Sequence, residues 1–589
     1  MRQRPISPKN VSMSSRDSGA TRTGGVTAVD MPFGGSAAEA ALARASWEGV
    51  IYAEPPRRAD LLALKPSWPL QPIRIQVIRN QPFEYVASVL RSVLAFAELD
   101  ATISYSDYDD SLTTPPDPAA DVIVVWLDYD RYRQLPADEL VTWLEQRLQL
   151  IRAGSRAPIL ISNDPGSSGD SLLNRSLARL SSLHPGIHIA DQSMLAQRLG
   201  PAYRDERTAT LAGTTMSDLA SLYTARLMGL SWLPALLLTP IKAVVVDLDG
   251  TLYAGVLAED GSKGVALTPD FVALQQRLLE LRDAGIFLAA ASRNQPEDVE
   301  ALFRDRTDMP VRAGDFSALK VSWEDKASAV RGIATDLRIG EDALLFIDDN
   351  PGELASVASA LPLIRTLHAS DPVVTRRALD AFPGLFRWSR TAEDALRIND
   401  LAVAALRQQI PGGDPDAYLR SLKIELGIEV DEPSHIQRLH ELSMKTNQFN
   451  TALRRFTEGD VAHYVEDRGR HALAISLRDR LSDSGIVGAI FITRQGEVLI
   501  VDEIAISCRA LGRRLERLMI LASIDRVAAG LASIKFAFTP GPRNQPARLW
   551  LAELVGPIEQ AGEYSLTWNA ADVAQEISQT PVKIRRLGP

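Results

Sequence analysis

Two aspartates, Asp247 and Asp249, stand two residues apart directly after the apolar run Ala243-Val244-Val245-Val246, and Gly250 follows them. Carboxylates at i and i+2 past a strand end can face one pocket, and the glycine permits a sharp turn there. The chemistry that fits is phosphoryl transfer. One aspartate attacks phosphorus, the second shuttles the leaving-group proton, and Mg²⁺ bridges carboxylate and phosphate. The bland reading of the same pair is a helix cap or a solvated turn. Three further elements arrive in order. Ser292, at the end of the next apolar strand, can hydrogen-bond a phosphoryl oxygen. Lys326, in Trp323-Glu324-Asp325-Lys326, can neutralise charge on the phosphoryl group and the nucleophile. Asp348-Asp349-Asn350-Pro351 follows another apolar strand and supplies the extra oxygens that a hard cation needs. Each alone is ordinary, but the ordered set is specific.

Such residues need a frame that sets strand ends side by side. Residues 1–35 carry neither helical nor strand period and read as disordered, and 36–50 is Ala-rich enough for a short helix. Strand–helix alternation follows. Residues 73–78 alternate as a strand, 85–99 has helical spacing, and 122–127 is a continuous apolar run of the kind a strand buried on both faces shows. With runs at 159–162 and 187–190, this predicts a doubly wound α/β domain over 70–238, preceded by a tail and arm over 1–69. Strands at 243–246, 286–290 and 343–347 predict a second α/β domain over 239–385. A Pro- and Gly-containing stretch near 411–413 marks a helical linker over 386–425. Strands at 472–477, 488–493 and 498–506, with a helix over 511–528, predict an α+β domain over 426–589.

Composition bounds the partners. The chain has 589 residues, 46% hydrophobic and 23% charged, which suits about three or four cored domains. A formal charge of −10 argues against global attraction to nucleic acid or anionic lipid. The longest apolar stretch, 227–241, is short for a membrane span and carries Pro234 and Pro240, and the N-terminus has no signal-like apolar core. One cysteine, Cys508, excludes an internal disulfide and a cysteine-rich zinc site, so a reducing, cytoplasmic setting is expected.

The motifs resemble those of the haloacid dehalogenase (HAD) superfamily. The resemblance implies that Asp247 is the nucleophile and Asp249 the general acid/base. Ser292, Asn294 and Lys326 would be the phosphate contacts, and Asp348 with Asp349 would join Asp247 at Mg²⁺. The run 247–261, Trp323-Glu324-Asp325-Lys326 and Phe346-Ile347-Asp348-Asp349-Asn350-Pro351 are similar to FkbH-like proteins, HAD subfamily IIIC. So are Thr446-Asn447-Gln448-Phe449-Asn450, Arg454-Arg455-Phe456-Thr457, Leu477-Arg478-Asp479-Arg480, Ser482-Asp483-Ser484-Gly485 and Ser507-Cys508-Arg509-Ala510-Leu511-Gly512-Arg513. The likeness is strong over about 240–530. It implies an α/β multidomain chain: an SGNH-hydrolase-like α/β domain, a HAD-like Rossmannoid phosphatase domain and a GNAT-like α+β domain. It also implies an activity. A glyceryl-type acyl unit from D-1,3-bisphosphoglycerate is held as a thioester, dephosphorylated and passed to an acyl carrier protein, as in polyketide biosynthesis.

Cys508 is the expected thioester site. A thiolate attacks acyl phosphates readily, and Arg509, Arg513 and Arg514 would lower its pKa if they lie close. The segment with Arg509, Gly512, Arg513 and Arg514, ahead of a predicted helix, offers backbone N–H groups to a phosphate such as that of phosphopantetheine. A basic patch over 509–517 is the place for an acidic carrier to dock. The competing reading makes Cys508 a small buried hydrophobe at a strand end. Departures bear on the substrate: Gly250, Tyr253 and Ala254 stand where the family usually has Asn, Trp and Gly, and Ala291-Ser292-Arg293-Asn294 replaces Cys-Ser-Lys-Asn. The first domain has Arg79-Asn80-Gln81-Pro82 where a nucleophilic Gly-Asp-Ser would fall, so it is expected to be noncatalytic. His184 and His188 read as surface or core residues, and His435 with His440 lack metal spacing. Arg454-Arg455 is either a solvated pair or an anion contact. Two other readings stay open: a plain Mg²⁺ phosphatase of a small phosphorylated metabolite, and a noncatalytic carrier-binding scaffold.

Overall fold

The computed structural model describes residues 36–586 apart from 208–211, 389–414 and positions 447, 512, 532 and 542, with backbone alone at 415–418. The expected disordered tail, most of the expected linker and Gly512 therefore lie outside the described residues. Three sheets organise the described residues. The first holds β1 (Gln71–Arg79), β2 (Leu99–Tyr108), β3 (Val122–Trp126), β4 (Ile159–Ser162) and β5 (Ile187–Ala190), all parallel, in the order β2-β1-β3-β4-β5. The second holds β6 (Ala243–Val246), β7 (Phe287–Ser292), β8 (Ala318–Val321), β9 (Leu344–Asp348) and β10 (Arg365–His368), again all parallel, in the order β10-β9-β6-β7-β8. The third is mixed: β11 (Glu425–Val430), β12 (Arg470–Arg478), β13 (Asp483–Gln495), β14 (Val498–Ile506), β15 (Ser533–Phe538), β16 (Gly562–Thr567) and β17 (Lys583–Arg586), ordered β16-β15-β14-β13-β12-β11-β17. The multidomain α/β architecture with a further α+β sheet is thus the one expected.

Continuous apolar runs became the central strands. β3, β6 and β9 are buried along their whole length, as helix-covered parallel strands must be. The helix expected over 85–99 stops at Phe96, because Glu98 turns through φ 63° and Leu99 already belongs to β2. The apolar stretch 227–241 is a buried helical bridge whose Leu230, Trp232 and Leu233 lie in one core shared by the first and second sheets. Among the described residues no helix is long and apolar enough to cross a membrane.

The third sheet's domain packs against the N-terminal strand ends of both parallel sheets. Glu458 accepts from the Gly186 N–H at 2.6 Å just before β5, and Thr457 Oγ1 donates to the Arg156 carbonyl at 2.9 Å just before β4. Lys242 Nζ, just before β6, donates to the Lys445 carbonyl at 3.3 Å, and Arg543 pairs with Asp342 at 3.1 Å just before β9. These are the N-terminal ends of the strands. The C-terminal ends, where open parallel sheets bind ligands, carry none of these contacts.

Candidate active site

Asp247, Ser292 and Asp348 come together because each closes a neighbouring strand of the second sheet at its C-terminal end. The ladder of β6 and β9 extends one step, with the Asp247 N–H donating to the Ile347 carbonyl at 2.9 Å, which sets Asp247 beside Asp348. Lys326 is the first residue of the helix Lys326–Asp336. Asp325 caps that helix, accepting from the Ser328 N–H at 2.9 Å, and so fixes where Lys326 starts. Lys326 Nζ then lies 2.8 Å from Asp247 Oδ2 and 2.6 Å from Asp348 Oδ2, with all three side chains buried.

Asp349 joins the group through Gly250. That glycine adopts φ 65°, and a Cβ there would sit 2.2 Å from Asp349 Oδ2. The expected sharp turn is present, and the missing side chain also leaves room for a third carboxylate. Carboxylate oxygens of Asp247, Asp348 and Asp349 lie within 4.8 Å of one another.

Asp249 is held by three donors. Its Oδ1 accepts from the Tyr253 hydroxyl at 2.7 Å and the Leu257 N–H at 3.0 Å, and its Oδ2 accepts from Asn294 Nδ2 at 2.9 Å. Asn294 Nδ2 also reaches Ser292 Oγ at 3.1 Å, which leaves the serine proton for an acceptor in the pocket. Sequence reasoning registered Tyr253 only as a departure. The available signal was an aromatic residue with a hydroxyl four positions after Asp249.

Electrostatics follow from crowding charge in a dry place. Burial raises the Asp247 pKa, helped by the charge of Asp249 and opposed by Lys326. Burial and the charge of Asp247 push Asp348 up to about 7. Burial works against the Lys326 ammonium, but the two carboxylates outweigh it and raise its pKa. Asp247 Oδ1, Thr251 Oγ1 and Asn294 Oδ1 are buried without a hydrogen-bond partner among the described residues. Buried polar atoms of this kind ordinarily find a partner, so the pocket is built to receive one. Three hard carboxylate oxygens and an orphaned Asp247 Oδ1 suit Mg²⁺.

The second group of expected site residues lies elsewhere. Cys508 follows β14, is half-buried, and its Sγ donates to the Arg338 carbonyl at 2.9 Å. The helix expected from Leu511 begins at Glu516, because Arg514 turns through φ 57° and breaks the path. Arg513 is buried and pairs with Asp479 at 3.0 Å, while Arg509 is buried and Arg514 exposed. In the expected docking patch Arg517 pairs with Glu576 at 2.6 Å. β14 and β15 pair only up to Val501 and Phe536. Beyond that point Phe449 and Thr451 carbonyls accept from the Ile506 and Thr539 N–H groups at 2.9 and 2.8 Å, so the chain itself occupies both strand edges. Arg454 pairs with Asp502 at 2.9 Å, and Arg455 donates to the Thr446 carbonyl at 2.9 Å. In the first domain Asn80 is buried and ties the Asp128 N–H (2.7 Å) to the Tyr132 hydroxyl (3.2 Å). His184 pairs with Glu145, and His188 lies tilted against Trp388, the ring centres 5.0 Å apart.

No family model matches the chain, and no curated protein matches it. Solved structures do. The N-terminal part of BF1531 from Bacteroides fragilis, which contains a phosphatase domain complexed with Mg, is similar at 18% identity over 59% of this chain and 98% of that one, with TM-score 0.42. A chain described as a HAD-like phosphatase from Mesorhizobium loti is similar at 14% identity over 25% of this chain and 89% of that one, with TM-score 0.20. The glucosamine N-acetyltransferase region of a fungal multi-domain β-N-acetylglucosaminidase is similar at 11% identity over 88% of this chain and 67% of that one, with TM-score 0.15. At these scores the likeness decides neither family nor activity, which have to come from the residues of the site.

Proposed function

We propose that the chain is a Mg²⁺-dependent phosphatase that works through an aspartyl-phosphate on Asp247. The observation that supports it most is Lys326 Nζ bridging Asp247 Oδ2 and Asp348 Oδ2 while Asp247 Oδ1 stays buried and unpartnered. Mg²⁺ held by Asp247, Asp348 and Asp349 supplies positive charge for the phosphoryl oxygens when bound. An oxygen of Asp247 attacks phosphorus, and the bond from phosphorus to the leaving oxygen breaks. Asp249 gives that oxygen a proton, then takes one from the water that attacks the aspartyl-phosphate, releasing phosphate and restoring Asp247. Lys326 compensates the charge of Asp247 throughout, and the Ser292 hydroxyl donates to a phosphoryl oxygen. Mg²⁺-dependent phosphate release from small phosphomonoesters, abolished in Asp247→Asn, tests this reading. Release that persists in Asp247→Asn contradicts it.

The motif likeness around Cys508 extends the proposal to a loading enzyme, in which the thiol takes a glyceryl-type acyl unit from an acyl phosphate and passes it to an acyl carrier protein. This step needs the thiol to leave the Arg338 carbonyl. Intact mass after exposure to D-1,3-bisphosphoglycerate separates the two. A glyceryl-sized adduct absent in Cys508→Ala supports loading, and phosphate release with no adduct leaves a plain phosphatase.

A further inference from the structure

We propose that Tyr253 is a positioning residue that confines the transferable proton of Asp249 to its Oδ2. The proposal rests on the phosphatase reading above and deepens it. Each carboxylate oxygen offers two lone-pair sites. On Asp249 Oδ1 both are taken, by the Tyr253 hydroxyl at 2.7 Å and the Leu257 N–H at 3.0 Å. A proton carried on Oδ1 would have to displace one of these donors. The Leu257 N–H belongs to the backbone where a helix begins and does not turn away. Tyr253 is fully buried, with its ring in the core that contains Leu248, Leu252 and Leu257. Rotating its O–H to accept from Asp249 would take the phenolic hydrogen away from Asp249 Oδ1 in a fully buried place. Burial and the charge of Asp249 also raise the phenol's pKa, so it stays a donor.

Oδ2 is the remaining place. It lies beside Asn294 Nδ2, which also reaches Ser292 Oγ, so this oxygen is on the phosphate-contact side of the pocket. A proton held there faces the leaving oxygen, and after giving it up Asp249 takes one from the attacking water on the same atom. Without the phenol the proton divides between Oδ1 and Oδ2, and protonation of the leaving group slows. Attack by Asp247 is untouched.

The difference is readable in the leaving group. An alkyl phosphomonoester needs a proton on its departing oxygen, whereas the nitrophenolate of p-nitrophenyl phosphate departs without one. With the full chain and Mg²⁺, Tyr253→Phe is expected to lower kcat/KM, which reports the steps up to leaving-group departure, by roughly 10- to 100-fold for the alkyl ester and less than about threefold for p-nitrophenyl phosphate. Asp249→Asn also loses the base for the water step, so its selectivity is read in leaving-group release within a single turnover. There it should have the same sense as that of Tyr253→Phe and exceed it, which ties the effect to Asp249. An equal loss on both substrates in Tyr253→Phe, or no loss on either, overturns the proposal. Inactivity of the wild-type protein toward both substrates removes the phosphatase reading itself, and the role of Tyr253 with it.

Discussion

The thiol of Cys508 donates to the Arg338 carbonyl across 2.9 Å, at the end of the second sheet opposite Asp247. The helix Lys326–Asp336 measures the separation. Lys326 opens it against Asp247, and Arg338 lies just past its far end, 11 helical residues or about 16 Å away. The thiol and the aspartate group thus lie toward opposite ends of the strands of one sheet. Any hand-over between them goes around the domain.

Arg543 guards the same seam as Cys508, pairing with Asp342 at 3.1 Å and Glu341 at 3.6 Å. These side chains keep only 21–28% of their surface exposed, and ion pairs near the surface contribute on the order of 1 kcal/mol, so Arg543→Ala should fold. Cys508 is expected to react slowly with a thiol reagent such as Ellman's in the native protein and several-fold faster in Arg543→Ala. Equal rates would show that the seam does not shield the thiol.

Gly250 should not tolerate a side chain. Gly250→Ala puts a methyl 2.2 Å from Asp349 Oδ2 at a φ that only glycine adopts freely. The carboxylate must move out of the three-aspartate group. The concentration of Mg²⁺ that half-saturates phosphate release is expected to rise at least roughly tenfold, as other supporting changes at metal sites do. Asp349→Ala should reproduce the shift, and an unchanged Mg²⁺ requirement in both would remove Asp349 from the site.

Mg²⁺ should stabilise the protein more at pH 8 than at pH 5.5. Burial and Asp247 push Asp348 up to about 7 from an ordinary value of 3.8. A carboxyl whose pKa is raised by folding gives stability that is fully present below about 4 and lost as pH rises through 7. The cation takes over from the proton above that range, so the rise in Tm on adding Mg²⁺ should grow with pH. A Tm increment that is flat across this window, or larger at pH 5.5, would count against the carboxylates as ligands.

Glu48 sets a second pH dependence away from the site. The helix Ala37–Ile51 packs on the second domain, and both Glu48 oxygens accept from the His368 N–H at 3.1 Å. Burial pushes Glu48 up to about 8 from 4.5, against that hydrogen bond and Arg44. Its contribution is complete below about 4.5 and is lost as pH rises through 8, with a ceiling on the order of 5 kcal/mol. Glu48→Gln keeps the acceptor and removes the charge, so its Tm should exceed wild type at pH 9 and match it near pH 5. Parallel Tm–pH curves would sink this assignment.

The buried strands β6, β7 and β9 were legible because covering both faces demands continuous apolar runs, and the chemistry at their ends came with them. β2, β8 and β10 were not. β8 (Ala318–Val321) and β10 (Arg365–His368) mix charged or polar residues into their four positions, and β2 exposes six of its ten, so no apolar run marks them. Within the site, Asp247, Ser292, Lys326, Asp348 and Asp349 stood out by type and position. Tyr253 did not, because a buried aromatic reads as core until its hydroxyl is seen to find Asp249. The pairing of Arg513 with Asp479 and the seat of Cys508 against Arg338 depend on contacts across 34 and 170 residues, which no local pattern records.

The role of Asp247 can be read directly. Borohydride reduces an aspartyl-phosphate to homoserine, so quenching the Mg²⁺-loaded protein with it during turnover of a phosphomonoester marks the nucleophile. Peptide mapping is expected to find homoserine at position 247, dependent on substrate and absent in Asp247→Asn. Homoserine at another aspartate, or phosphate release that continues in Asp247→Asn, would contradict an aspartyl-phosphate at this site.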